Sequence, residues 1–135
     1  TRGLDVAAMA EGAGRLVGQH DFGAFGHPMS ADGSTVRRLD AVLLRTGADL
    51  VTFEFVGESF LRHQVRRMVG LLMDIGSGRQ PAESVQWVLA RTAGAPVARR
   101  APARGLILWA VSYPPDEMPW EYLRREGASS EDLYA

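Results

Sequence analysis

The middle of the chain holds a group of basic residues next to a glycine. Its members are Arg62, His63, Arg66, Arg67 and Gly70. On a helix predicted for residues 59–75, Arg62, Arg66 and Gly70 lie on one line at four-residue spacing. Because stacked guanidinium groups repel each other unless an anion lies over them, this face is suited to a phosphate group or an acidic partner. An ordinary solvated helix face is the alternative interpretation.

Two other stretches carry side chains that could do chemistry. A segment rich in Ala, Gly and Pro at residues 92–104 is predicted to be a loop, and it carries Arg99, Arg100 and Arg104 as further phosphate ligands. His20 and Asp21 open a glycine-rich loop that also includes His27. A hydrolase built on these three residues is a weak alternative, because neither a nucleophile elbow nor a suitable serine accompanies them.

Composition narrows the chemistry further. The 135 residues include no cysteine, which excludes disulfides, thiolate metal sites and a cysteine nucleophile, and we predict no metal site. All 15 basic residues are arginine, so a lysine Schiff base is excluded as well. The formal net charge of -1 means that any nucleic-acid binding must use a local patch. No apolar run is long enough for a membrane span, and we expect a soluble, cytoplasmic protein with no membrane partner.

The elements that must position these residues follow from hydrophobic periodicity and turn residues. We predict helices at residues 5–19, 59–75 and 81–91, a hairpin of strands at 34–45 and 50–56, and a buried strand at 105–113. This order indicates an α+β fold with a mostly antiparallel sheet and helices packed on one face. We assign residues 1–116 to one domain and residues 117–135 to a tail that could form a short helix.

Particular residues fix these predictions. Asp5 is suited to cap the first helix, and Gly76 stands where a helix often ends in glycine. Phe53 and Phe55 alternate with polar residues, which places them on one face of the sheet. A sheet of three strands would leave edges open, so we expect it to continue into more sheet in the complete protein.

Several motifs in this order resemble the C-terminal half of the tRNA pseudouridine synthases of the A type. The matching motifs are His20-Asp21-Phe22 with Phe25, Phe60-Leu61 with Val65-Arg66 and Val69-Gly70, Gly76-Ser77-Gly78, and Gly105-Leu106 through Tyr113-Pro114. The match covers most of the chain. Gln64 stands where that family commonly has methionine.

The resemblance implies one half of a pseudouridine synthase fold and an isomerase that needs no cofactor and no metal. The aspartate that acts on the ribose belongs to a Gly-Arg-Thr-Asp segment of the family's N-terminal half, which this sequence lacks. Arg66 matches the arginine that pairs with that aspartate, and Gly105 and Leu106 match a strand that lines the uridine pocket. The resemblance makes His20 and Asp21 a loop-ordering pair that could also contact RNA, and a cap and turn role is the favoured interpretation.

The resemblance also implies the partners. They are tRNA, modified in its anticodon arm, an N-terminal half carrying the aspartate, and a second copy in a homodimer. The chain alone is then expected to be inactive. A non-catalytic module for RNA binding or dimerisation is the alternative, because it would need only the basic face and the sheet.

Overall fold

The computed structural model describes residues 3–28, 33–47 and 51–101. The elements in chain order are α1 (Val6–Leu16), β1 (Gly18–Asp21), β2 (Val36–Thr46), β3 (Val51–Gly57), α2 (Gln64–Gly76) and α3 (Ser84–Leu89). The three strands form an antiparallel sheet in the order β1-β2-β3. Helix α1 packs against α2, α3 and strand β2. The predicted α+β arrangement, with an antiparallel sheet and packed helices, is confirmed.

Helix α1 begins where the sequence predicts and ends earlier. The Asp5 side chain caps it by accepting a hydrogen bond from the amide of Ala8 at 3.0 Å. The helix was predicted to reach residue 19, but it ends at Leu16, and the chain turns at Gly18, whose φ of +112° favours glycine. Residues Gly18–Asp21 form strand β1, which sequence reasoning missed because Gly-Gln-His-Asp has no β-branched or large apolar residue.

Strands β2 and β3 form the predicted hairpin. They pair from Thr46 opposite Val51 to Leu39 opposite Gly57, with one irregularity after Leu39. The rings of Phe53 and Phe55 lie 6.1 Å apart and both pack against the core, as the alternation predicts. The hairpin therefore contributes to the core, and α1 packs on its strand β2.

Helix α2 begins five residues later than predicted. It starts at Gln64, and Arg62 instead pairs in an extended conformation with His27 through two backbone hydrogen bonds of 2.8 and 3.2 Å. The apolar pattern predicted too early a start for the helix, because Leu61 is buried in the same core as Met68 although it precedes the helix. The prediction that Arg62 continues the line of Arg66 and Gly70 is therefore wrong.

Gly76, at the end of α2, also has a different role from the predicted one. Gly76 is the last helical residue rather than a left-handed cap, and a Cβ there would overlap the side chain of Met9. The left-handed conformation occurs two residues later, at Gly78, with φ +85°. Gly76 is thus required by the close packing of α1 on α2.

Helix α3 is shorter than predicted. It begins at Ser84 after a turn at residues 81–83, and its inward residues Val85 and Val88 are buried as expected. Residues 92–101 contain no helix or strand, which agrees with the predicted loop as far as the structure describes it. The predicted strand at 105–113 and the tail at 117–135 lie outside the described residues. None of the described helices is long and apolar enough to cross a membrane.

A buried amide stabilises the start of α2. Gln64 is only 1% exposed, and its Oε1 accepts a hydrogen bond from the backbone amide of Leu61 at 2.8 Å. We predict that Gln64→Met lowers the free energy of unfolding by about 1–3 kcal/mol, because the buried backbone amide of Leu61 loses its hydrogen-bond acceptor. Urea unfolding followed by circular dichroism measures this. The exposed Gln86 on α3 is the matched control, and Gln86→Met should change stability by less than about 0.5 kcal/mol. Equal effects of the two substitutions would contradict the prediction.

Candidate functional site

Arg66 lies in the first turn of α2 and is fixed to the segment formed by residues 98–101. Its Nε donates to the carbonyl oxygen of Ala101 at 2.8 Å, and its own carbonyl accepts from the amide of Ala101 at 3.0 Å. The side chain is partly buried. Among residues 3–28, 33–47 and 51–101, no acceptor bonds to its two terminal nitrogens and no carboxylate pairs with it. One edge of the guanidinium is therefore anchored, and within the described residues its two terminal nitrogens keep their N–H groups for another partner.

The segment 98–101 crosses α2 in close contact. A Cβ at Gly70 would overlap the backbone carbonyl of Arg99, so only glycine allows this approach. The Nη1 atom of Arg67 donates to the carbonyl oxygen of Ala98 at 2.9 Å. The arrangement explains the spacing of Arg66 and Gly70, since both residues meet the same crossing segment from adjacent turns of one helix.

Arg99 has a different environment from its neighbours. Its Nη2 lies 3.3 Å from Oδ1 of Asp74, and Nη1 of Arg79 lies at the same distance from that oxygen. The Asp74 side chain is 12% exposed, whereas both arginine side chains are 68% exposed. Two exposed arginines thus share the charge of one buried carboxylate, and Arg99 is neutralised in part before any ligand arrives.

His63 joins this group through an unusual backbone conformation. It precedes α2 with φ 68° and ψ 2°, in the left-handed region, and its side chain does not cap the helix. Its Nε2 lies 3.3 Å from Nη1 of Arg100. Partial burial of the ring lowers the pKa of His63, and nearby guanidinium charges lower it further. Those charges belong, in decreasing order of effect, to Arg100, Arg62, Arg66 and Arg67.

We call His63 and these four arginines the arginine cluster. Arg62 belongs to it although it is not part of the helix, because the extended segment paired with His27 places it before the first turn. Arg62 and Arg100 are exposed, while Arg66 and Arg67 are half-buried and bonded to the crossing segment. The sequence could identify the cationic residues but contains no local signal for the conformation of His63 or for the pairing with Ala101.

His20 and Asp21 lie in β1, and their side chains bond locally. Oδ1 of Asp21 accepts from the amide of Gly23 at 2.9 Å and from the Thr35 hydroxyl at 2.5 Å. The bond from Thr35, followed by that from Gly23, lowers the pKa of Asp21. The Nε2 of His20 lies 3.0 Å from the carbonyl oxygen of Val17. The two residues therefore have separate partners, an arrangement that favours the cap and turn role over a hydrolytic His–Asp pair.

Three predicted site residues, Arg104, Gly105 and Leu106, lie outside the described residues, and their roles stay predictions. In the part of the chain that the structure describes, no group of three or more His, Asp or Glu side chains is placed to hold a metal ion.

Comparison with known proteins gives a consistent result. A family model described as tRNA pseudouridine synthase matches residues 13–114. The tRNA pseudouridine synthase A of Pelobacter propionicus is 40% identical over 110 residues, which cover 82% of this chain and 45% of that protein. The protein of the same name from Solidesulfovibrio magneticus is 45% identical over 112 residues, covering 82% and 41%. The one from Myxococcus xanthus is 38% identical over 120 residues, covering 86% and 45%. The chain thus spans less than half the length of these relatives.

Proposed function

Because this chain belongs to the tRNA pseudouridine synthase family, we propose that it supplies the active-site arginine and part of the RNA-binding surface of an enzyme that converts uridine to pseudouridine in tRNA. The catalytic aspartate comes from a segment outside this sequence, in the N-terminal half of the enzyme. From the resemblance we further propose a cytoplasmic homodimer that acts on the anticodon arm.

The state of Arg66 is the observation that carries this proposal. Its Nε is held by Ala101, and its terminal nitrogens have no acceptor among the described residues. Two parallel donors on a planar guanidinium match the two oxygens of a carboxylate. An aspartate placed there would have its pKa lowered by the positive charge, so that it stays ionised. Arg66 would thereby orient the carboxylate toward the ribose.

The reaction is an isomerisation that also moves two protons. The bond between C1′ of the ribose and N1 of the base breaks, the base turns, and C1′ bonds to C5 while the proton on C5 is lost and N1 gains one. The nucleotide gains and loses no atoms overall, and no oxidant or reductant is consumed. The enzyme must supply an ionised, correctly placed carboxylate, a route for the C5 proton to solvent and for a proton from solvent to N1, and a grip on RNA from which one base is turned out.

The arginine cluster is the surface that we propose for that grip. Arg62 and Arg100 are exposed, and no carboxylate of the described residues pairs with either. They are therefore the residues best suited to contact phosphate groups. Arg67 and Arg99 are bonded to Ala98 and Asp74, so a phosphate would have to share them with these partners. Arg104 is proposed as a further contact on sequence grounds alone.

The test is release of tritium from tRNA labelled at C5 of its uridines, since forming the new bond at C5 expels that hydrogen. The chain alone should release none, and the chain combined with the aspartate-bearing half should release it in proportion to pseudouridine formed. Binding of tRNA by the chain without release from the reconstituted enzyme would favour the non-catalytic module instead. If the chain does not bind tRNA at low salt and the reconstituted enzyme releases no tritium, both functions are contradicted.

A further inference from the structure

His63 occupies a conformation that needs an explanation. It and Arg91 are the described non-glycine residues with positive φ, and a left-handed conformation of this kind is strained for a residue with a side chain. The side chain does not offset this strain by capping α2. Instead, the ring is directed at Arg100, with Nε2 3.3 Å from Nη1. Because a guanidinium can only donate, Nε2 must be the unprotonated nitrogen in this contact.

The charged groups that act on the ring are all arginines in the part of the chain that the structure describes. Arg100 approaches from the crossing segment, Arg62 from the extended segment before α2, and Arg66 and Arg67 from the helix itself. None of the four makes an ion pair with a described carboxylate, and only for Arg66 is an outside carboxylate proposed, the catalytic aspartate. Positive charge without a counterion is stabilised by a bound anion, and a neutral imidazole within it can accept a proton once that anion is present.

We propose that Arg62, Arg100 and His63 of the arginine cluster bind one phosphate group of the RNA and that His63 takes up one proton as the phosphate binds. The phosphate oxygens then replace Nε2 as the acceptor for Arg100, and the newly protonated Nε2 donates to the same anion. One proton passes from solvent to the ring, and no covalent bond of the RNA changes. This inference rests on the proposed function for the identity of the anion, a phosphodiester of tRNA.

The direction in which tRNA affinity changes with pH follows from the linkage between proton uptake and phosphate binding. In the free protein the pKa of His63 lies below its ordinary value near 6.5, and a bound phosphate raises it. Affinity for tRNA therefore increases as pH falls from the raised pKa of the complex to the lowered pKa of the free protein. Above that interval the affinity contributed by His63 is constant. Each unit by which the two pKa values differ corresponds to about a tenfold gain in affinity at the acidic end.

The experiment measures the Kd for an unmodified tRNA transcript from pH 5 to pH 8, a range chosen around the ordinary histidine pKa, at constant ionic strength. The wild-type protein is compared with His63→Asn, because asparagine tolerates the left-handed conformation but does not titrate. We expect the wild-type affinity to rise by about tenfold or more toward low pH beyond any change seen in His63→Asn. His27→Asn is the matched control, since His27 is exposed and outside the cluster, and it should retain the wild-type profile.

Identical pH profiles for the wild type and His63→Asn would overturn the inference, as would a lack of tRNA binding at low salt. Nuclear magnetic resonance of the His63 ring in the wild-type protein gives an independent measurement. Its pKa should rise when an anticodon stem-loop RNA is added, and a pKa that is unchanged or lower would also overturn the inference. Pseudouridine formation is assayed separately. If pseudouridine forms at a normal rate but the pH dependence of tRNA binding does not depend on His63, this inference alone is refuted. If that pH dependence does depend on His63 but no pseudouridine forms, the proposed activity alone is refuted.

Discussion

Replacing Arg66 by alanine is expected to lower the rate of pseudouridine formation in tRNA by about 100-fold or more, with little change in KM for tRNA. The guanidinium is held by Ala101 through Nε, and in the proposed function its two terminal nitrogens pair with the catalytic carboxylate. Without it, that carboxylate loses both its orientation and the positive charge that keeps it ionised. The measurement is the initial rate of tritium release from tRNA labelled at C5 of uridine, with the aspartate-bearing half present.

Two further variants define what Arg66 contributes. Arg66→Lys keeps the charge but lacks the planar fork that donates to Ala101 along one edge and to both oxygens of a carboxylate along another, so it should recover only a small part of the lost rate. Arg79→Ala is the matched control, because Arg79 is an exposed arginine that shares Asp74 with Arg99. It should change the rate by less than about twofold, as expected for a surface substitution. Near-normal turnover by Arg66→Ala would remove the basis of the proposed function.

The helices and strands that were predicted correctly are those in which buried residues recur at a regular spacing. Met68, Leu72 and Ile75 recur at helical spacing and are buried, and Phe53 and Phe55 alternate and pack on the core. The errors occur where a residue is buried for a tertiary reason. Leu61 reaches the core from an extended segment, so the pattern continued beyond the true start of α2.

For the candidate site, too, some features could be predicted from the sequence and others could not. Residue types marked Arg66 and the cations around it as candidates, and the resemblance supplied the role of Arg66, which stays a prediction. The sequence could not show that Nε of Arg66 bonds to Ala101, because that contact joins residues 35 positions apart. Nor could it show that His63 is left-handed, since the local sequence there favours helix, whereas the residue before it pairs with the distant His27.

The packing of the crossing segment on α2 leads to the second large effect. Gly70→Ala should lower the free energy of unfolding by about 1–3 kcal/mol, because its Cβ would overlap the carbonyl of Arg99 and backbone cannot move aside as a side chain can. Displacing that segment also breaks the contact of Arg66 with Ala101, so turnover should fall as well. Thermal unfolding and the tritium assay measure the two losses.

Gly14 on α1 is the matched control for this substitution. It is a helical glycine, and a Cβ at this position would have no other atom within 4 Å, so Gly14→Ala should raise stability by about 0.5–1 kcal/mol through helix propensity alone. The two substitutions make the same chemical change in the same kind of element and are expected to have opposite signs. If Gly70→Ala stabilised the protein as Gly14→Ala does, residues 98–101 could not lie against α2, and Arg66 would lose the anchor that directs its free nitrogens toward a carboxylate.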